Sequence, residues 1–467
     1  MKTEQPMLHA PVGRLLWKNA TPAVAAMFMS ALYQIIDGIM VGRRLGPDAL
    51  AAVTIAYPVI ALLVGLAVMI GTGGNARIAV LLGRRRPVAA RRVLSLLVAL
   101  GCGLGVGGGI LVYAFGTPLT AALGAEDAVR SLALIYLFSL TPFFAGFILS
   151  FILEQSLRND GRGSLAGIVM ASAAVLNVVL DYLFLFPLNM GIAGAALASG
   201  ISMTLAATVF VIMLVRRTGT LYLVKPRLSV RLMAVIAANG SSELLSALAM
   251  GVVTLLFNRT LMRTSGSDGV AAFAVVQYLL MLSAVFLGGL AAGGQPIIGI
   301  NHGAGQAHRV RATLIRMIGA GVVISLVLMV VGRAFAPAIA RLFVPDHPAA
   351  VSVVSDALRL VAWSLVVMPL GTLGSAFFTA LERPVPSLVV AALRSLALPL
   401  VFLVLFPKAL GPVGVWLVPL GSELGSGAIA AVLIVAYFRR LRRSNVDLRK
   451  TPVPVVNPEP ASVSASA

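Results

Sequence analysis

Two aspartates, Asp37 in the run IIDGIMVG and Asp181 in NVVLDYLFLF, stand inside stretches that are otherwise apolar. An ionised acid at the centre of a membrane helix costs roughly 2.5–3.5 kcal/mol on insertion scales, so such acids are rare and usually face an interior cavity. Neither stands alone on its helical face. Tyr33 and Gln34 precede Asp37 by four and three positions, and Asn177 precedes Asp181 by four. Two carboxylates, an amide and a hydroxyl form an all-oxygen donor set, which suits Na⁺ or a shared proton. Asp37, Asn177 and Asp181 are thus the expected ligands if the ion is Na⁺. Snorkelling or interhelical hydrogen bonding is the competing explanation, and it stays open for Asp181, which precedes the loop after Phe186 by five residues.

Other polar residues carry weaker signals. Glu154 and Arg158 are spaced i, i+4 near a helix end, where a structural ion pair is as good an account as a coupling role. Glu243 follows NGSS and is either an interior acid or part of a helix start, whereas Glu423, in GSELGSG, fits a small-residue packing interface. Gln277 joins Tyr33, Gln34, Glu154 and Glu243 as candidates for substrate contact or coupling. The four histidines (His9, His302, His308 and His347) fall in tails or loops without a metal-ligand or nucleophile constellation, which argues against an enzyme.

The elements that must position these residues are read from composition. Of 467 residues, 59% are hydrophobic and 11% charged, and the mean hydropathy is +0.99, far from a soluble domain. Apolar stretches recur at 14–41, 49–75, 93–116, 129–154, 164–186, 191–215, 231–257, 271–300, 311–333, 355–381, 387–406 and 411–437. Each is near or above the roughly 20 residues that cross a bilayer, and a β-barrel's short alternating segments are missing, so an all-α polytopic membrane protein of 12 helices is expected. The formal charge of +20 does not point to nucleic acid, because the basic residues lie between the spans. Most of the 36 Lys and Arg, including RRRPVAARR and RRLRRSNVDLRK, fall on the side that holds both termini if the helix count is even, so both ends are expected in the cytoplasm. The clusters read as topology signals with some lipid contact. No cleavable signal peptide is evident, the lone Cys102 allows no intrachain disulfide, and TPVPVVNPEPASVSASA reads as a disordered tail.

An offset of 220 residues brings two halves into register. ALAAVTIAYP falls on GVAAFAVVQY, GTGGN on AAGGQ, Gly83 on Gly303, and FPLNMGIAGAAL on FPKALGPVGVWL. Helix one thereby maps onto helix seven, which implies two six-helix lobes in one orientation, related by an axis along the membrane normal. The expected divisions are an N-terminal segment 1–13, lobes 14–215 and 231–437, a basic linker 216–230, and a tail 438–467. Pro22 lies on Asp37's helix, about four turns away.

YQIIDGIMVGRRLGPDALAAVTIAYP, NVVLDYLFLFPLNMGIAGAALAS and GGQPIIGINHGAGQAHRV together resemble the MATE (multidrug and toxic compound extrusion) transporters, most closely the MepA- and DinF-like prokaryotic branch, over residues 10–440. The resemblance implies secondary antiport: export of cationic, amphipathic drugs against inward H⁺ or Na⁺, with no cofactor. It also implies an N-lobe coupling site at Asp37, Asn177, Asp181 and Ser199, with Ser199 standing where Thr is familiar, and a bendable proline at Pro22. Glu154 matches an acid of the same branch. The aspartate that other members carry on helix ten is missing from GTLGSAFFTALERP, which leaves Glu243 without that partner and favours coupling in the N-lobe. The expected setting is the bacterial cytoplasmic membrane, with drugs and lipids as partners and a monomeric state. A lipid-linked oligosaccharide flippase is the nearest alternative, but it should line its cavity with Arg or Lys, and here the cavity candidates are acidic. A scaffold or receptor needs no duplicated lobes.

Overall fold

Proline and glycine punctuate the helices. Pro47, Pro87, Pro384 and Pro412 each open a helix, where the missing N–H has no partner to lose. Gly46 and Gly411 precede two of them at φ 85° and 63°, a left-handed backbone that side chains disfavour. The structure is a computed structural model and describes residues 6–343 and 348–444. His347, residues 1–5 and the tail beyond 444 lie outside the described residues.

Eleven helices are long and apolar enough to cross a membrane. The 74-residue Val230–Gly303 breaks at Gly266 (φ 65°, ψ −155°) and so supplies two spans, giving twelve among the described residues. In chain order they are α1 (Val12–Leu45), α2 (Pro47–Gly83), α3 (Pro87–Ala122), α4 (Ala128–Asn159), α5 (Gly163–Leu185), α6 (Gly191–Val215), α7 (230–265), α8 (267–303), α9 (Ala307–Ala334), α10 (Ala350–Ala380), α11 (Pro384–Leu410) and α12 (Pro412–Leu441). The segment RTSGSDG, which lies between the expected spans 231–257 and 271–300, is instead helical on both sides of Gly266. Large apolar side chains such as Ile110, Leu111, Phe115 and Val330 point outward, as a lipid-facing surface requires. Small residues crowd the interior, where Ala, Gly and Ser let helix backbones approach.

The 220-residue offset reappears as reciprocal packing. A Cβ on Gly83 would clash with the carbonyl oxygen of Ile300, and one on Gly303 with that of Val80; adding 220 to Gly83 and Val80 gives Gly303 and Ile300. Gly73 abuts Gly240 and Gly293 abuts Ala20, while Gly74 meets Leu97 and Gly294 meets Met317, by the same rule. Gly46 and Gly266 are likewise counterparts, so the break inside Val230–Gly303 is the α1–α2 turn repeated. Residue i touching j while their counterparts touch in reverse is the signature of a two-fold axis between the halves.

The basic connector between α6 and α7 is non-helical and fastened to the first half. Val224 N–H donates to Ser95 Oγ at 2.9 Å, Leu221 N–H to Asp160 Oδ1 at 2.9 Å, and the Arg91 guanidinium stacks 3.8 Å over the Tyr222 ring. Burial pushes the Asp160 carboxyl up, opposed by the Leu221 N–H and by Arg162.

Candidate functional site

Inside the first half, α5 and α6 hold a buried polar knot. Asn177 and Asp181 are fully buried on one face of α5, and Ser199 is 9% exposed on α6. With the Asn177 amide oriented to satisfy both sides, its nitrogen donates to Asp181 Oδ2 at 3.1 Å and its oxygen accepts from Ser199 Oγ at 3.1 Å and Ser199 N–H at 3.2 Å. That leaves Asp181 Oδ1 buried without a hydrogen-bond partner among the described residues, and Asp37 Oδ1 on α1 is orphaned in the same way. The two carboxylates and the buried hydroxyls of Tyr33 and Tyr136 lie within electrostatic reach of one another. Two hard, orphaned carboxylate oxygens fit a proton or Na⁺. The Asn177 oxygen is committed to Ser199, so in this arrangement Asn177 orients Asp181 and is not itself placed as the direct ion ligand that the sequence had suggested. Tyr136, on α4, was not legible in the sequence because LALIYLFSL carries no charged residue to mark it.

Pro22 lies inside α1, which runs unbroken from Val12 to Leu45, and a Cβ on α5's Gly167 would press on the Pro22 ring and carbonyl. Close approach at this crossing ties α1, bearing Asp37, to α5, bearing Asp181.

A cavity of about 1210 Å³ lies between the halves. Its lining runs from Gly42, Arg43 and Leu50, beside the Gly46 turn, to Gln155, Arg158 and Gln295 at the floor. Gln34 on α1, Glu154 on α4 and Glu243 on α7 all line it, with Met27, Met170, Met281 and Phe151 as apolar wall. Methionine adapts its shape to different ligands, so this wall suits varied amphipathic molecules. Gln277 is not among the lining residues; its neighbour Tyr278 is. Gln34 Nε2 donates to Ser30 O at 3.1 Å, and Asp37 sits off the cavity beyond it.

Three arginines line the cavity where acidic candidates were expected, Arg43 at its Gly46 end and Arg158 and Arg394 deeper in the wall. Arg158, 2% exposed, donates to Glu154 as an i, i+4 ion pair. Arg394 on α11 donates through Nε to Glu423 Oε1 at 2.9 Å and Oε2 at 3.2 Å, with Glu243 in electrostatic reach. Glu423 is therefore an ion-pair partner and not simply part of a small-residue interface.

Below the floor Asn75 accepts from Ser156 Oγ at 2.9 Å and from Asn159 Nδ2 at 3.1 Å within the first half, and Arg77 on α2 bridges across to Glu382, after α10 in the second half, at 2.9 Å. The histidines are placed differently from the loops expected of them: His302 ends α8, His308 begins α9, and His9 ends a short helix, Pro6–His9. No group of three or more His, Cys, Asp or Glu is arranged for a metal among the described residues.

Two six-helix halves packed about a two-fold axis, with a cavity between them that is sealed at one end, define a membrane transporter and not an enzyme. The MatE family model matches residues 22–183 and again 244–405, once per half, and the chain belongs to that family. It is 27% identical over 441 residues to the multidrug export protein MepA of Staphylococcus aureus (strain N315), covering 92% of this chain and 95% of that protein. It is 28% identical to the MepA of Staphylococcus saprophyticus, covering 90% and 92%. A solved MATE multidrug resistance transporter in an outward-facing conformation superposes with a TM-score of 0.89 at 25% identity, covering 95% of this chain and all of that one. The chain is thus a MATE-family transporter of the MepA-like branch, a multi-pass protein of the bacterial inner membrane.

Proposed function

We propose that the protein is a secondary antiporter that exports cationic, amphipathic compounds in exchange for inward H⁺ or Na⁺, with coupling in the N-terminal half. The carrying observation is the pair of orphaned buried carboxylate oxygens, Asp37 Oδ1 and Asp181 Oδ1, next to a cavity whose walls bear further acids. In this reading the halves 14–215 and 231–437 rock about the cavity as lobes, both termini are cytoplasmic, and the Gly46 side faces outward. A cation entering from outside neutralises Asp37 and Asp181, which weakens the hold of the cavity on a cationic drug and releases it. Return to the inward-open state discharges the ion. Coupling needs only that drug and ion differ in affinity between the two states.

The flippase alternative calls for cations free to bind pyrophosphate. Arg158 and Arg394, deep in the wall, each carry a carboxylate partner, and Arg43 stands apart from them at the Gly46 end of the lining, which supports the antiporter.

The test is uptake of a cationic dye into everted vesicles under imposed Na⁺ and pH gradients. Asp37→Asn and Asp181→Asn are each expected to abolish the dependence on the gradient while dye binding persists. Uptake that stays ion-coupled in both variants sinks the proposal.

A further inference from the structure

The second half repeats the scaffold of the first but not its site. Adding 220 to Asp37, Asn177, Asp181 and Ser199 gives Phe257, Ala397, Val401 and Pro419, none of which offers a side-chain oxygen. What this half has instead is Glu423 on α12, paired with Arg394 of α11, and Glu243 on α7, which lines the same cavity as Arg394. Arg394 sits in a single π-helical turn, Leu393–Ala397, the one such turn among the described residues. Turns of this kind are rare and often mark functional positions. Room for the pair comes from Gly371 on α10, where a Cβ would lie 3.1 Å from Arg394 Cδ, 3.2 Å from Ser426 Oγ and 3.4 Å from Glu423 Oε2.

We propose that Arg394 is a tethered counter-cation that occupies the second half's cation position, so that this half binds no exchangeable ion and coupling is confined to the first. The inference rests on the antiporter reading above. Arginine keeps its charge at any physiological pH, so unlike H⁺ or Na⁺ it cannot leave when the halves rock. One guanidinium against two carboxylates leaves a single net negative charge. Glu423 takes the direct contact, and Glu243, which lines the cavity, keeps that charge available to a cationic substrate. Without Arg394 both acids would stand uncompensated in a membrane-embedded wall, an arrangement that favours an external cation.

The test is ethidium binding to the purified full-length protein, titrated with Na⁺ at fixed pH and with pH in the absence of Na⁺. Asp37→Asn is compared with Asp37→Asn/Arg394→Met and Asp37→Asn/Arg394→Lys. The Met variant is expected to gain a cation dependence, with ethidium affinity falling about fivefold or more as the cation is supplied. The Lys variant, which keeps a tethered charge, is expected to gain none. Ion sensitivity remaining in Asp37→Asn alone would count against N-terminal coupling, while the increment between the double and single variants still decides the role of Arg394. Arg394→Gln repeats the measurement if the Met variant does not fold. Glu423→Gln keeps the guanidinium and frees it for Glu243, so ethidium binding is expected to weaken about fivefold. No gained cation dependence on loss of Arg394, or unchanged binding in Glu423→Gln, overturns the inference.

Discussion

Asn177 holds its neighbours with both ends of one amide, and that is why a neutral residue belongs in an acidic site. Its nitrogen meets Asp181 Oδ2 and its oxygen meets two donors of Ser199, which fixes the carboxylate so that only Oδ1 is left for an ion. Removing one partner of a buried hydrogen bond costs about 1–3 kcal/mol, because the group left behind is desolvated without compensation. Asn177→Ala is therefore expected to lower stability by about that much and to cut ion-driven dye uptake about tenfold. Thermal unfolding in detergent and vesicle uptake together check it. Full uptake in a destabilised protein would make Asn177 a packing residue only. Ser199→Thr keeps the hydroxyl and is expected to retain coupling, whereas Ser199→Ala removes the donor to Asn177 and is expected to weaken it. The same vesicle assay distinguishes the two.

Helices in this protein meet through glycine, and the crossings give the element scale its own test. Gly83→Ala and Gly303→Ala each push a methyl group into the backbone carbonyl of the facing helix, where nothing flexible can yield. Overpacking of this kind costs typically about 1–3 kcal/mol, so both are expected to lower the thermal midpoint. Gly103→Ala, with no atom within 4 Å of its added Cβ, is expected to be neutral or slightly stabilising. Equal effects at all three sites would refute the packing argument. These helices were legible in the sequence because a bilayer demands long apolar runs, and the 220-residue frame made the repeat legible as well. Asp37 and Asp181 were legible for the same reason, as charges where none is expected. The α7–α8 junction was not, since Arg, Ser and Asp around Gly266 imitate a loop while the backbone remains helical up to it. Nor was the role of Arg394: its partners lie on α7 and α12, far away in sequence, and a π turn leaves no periodic trace.

At the scale of the whole molecule, the ion pair Arg77–Glu382 is a direct charged link between the halves below the cavity floor, and its loss is expected to ease opening on that side. Arg77 Nη1 lies 2.9 and 3.1 Å from the two oxygens of Glu382, and the side chains are 15% and 16% exposed. Hydrogen bonds to charged groups are worth about 1.5–3 kcal/mol, and each 1.4 kcal/mol shifts a two-state population tenfold. Glu382 also faces Arg84, so the two ends of the pair are not equivalent. Loss of Arg77 leaves Arg84, also of the first half, to attract Glu382, whereas loss of Glu382 removes the acid to which both arginines are drawn. Glu382→Ala is therefore expected to populate the state open on this side about tenfold more than the parent does, and Arg77→Ala by a smaller factor. Native Cys102 is first replaced by Ser, and a cysteine is placed at Gln155, on the cavity floor. A membrane-impermeant thiol reagent, added to vesicles from the Arg77 side, then reports opening as a labelling rate. Faster labelling in the order Glu382→Ala, Arg77→Ala, parent supports the gate. Equal rates would leave the closed side to the backbone contacts of Gly83 and Gly303.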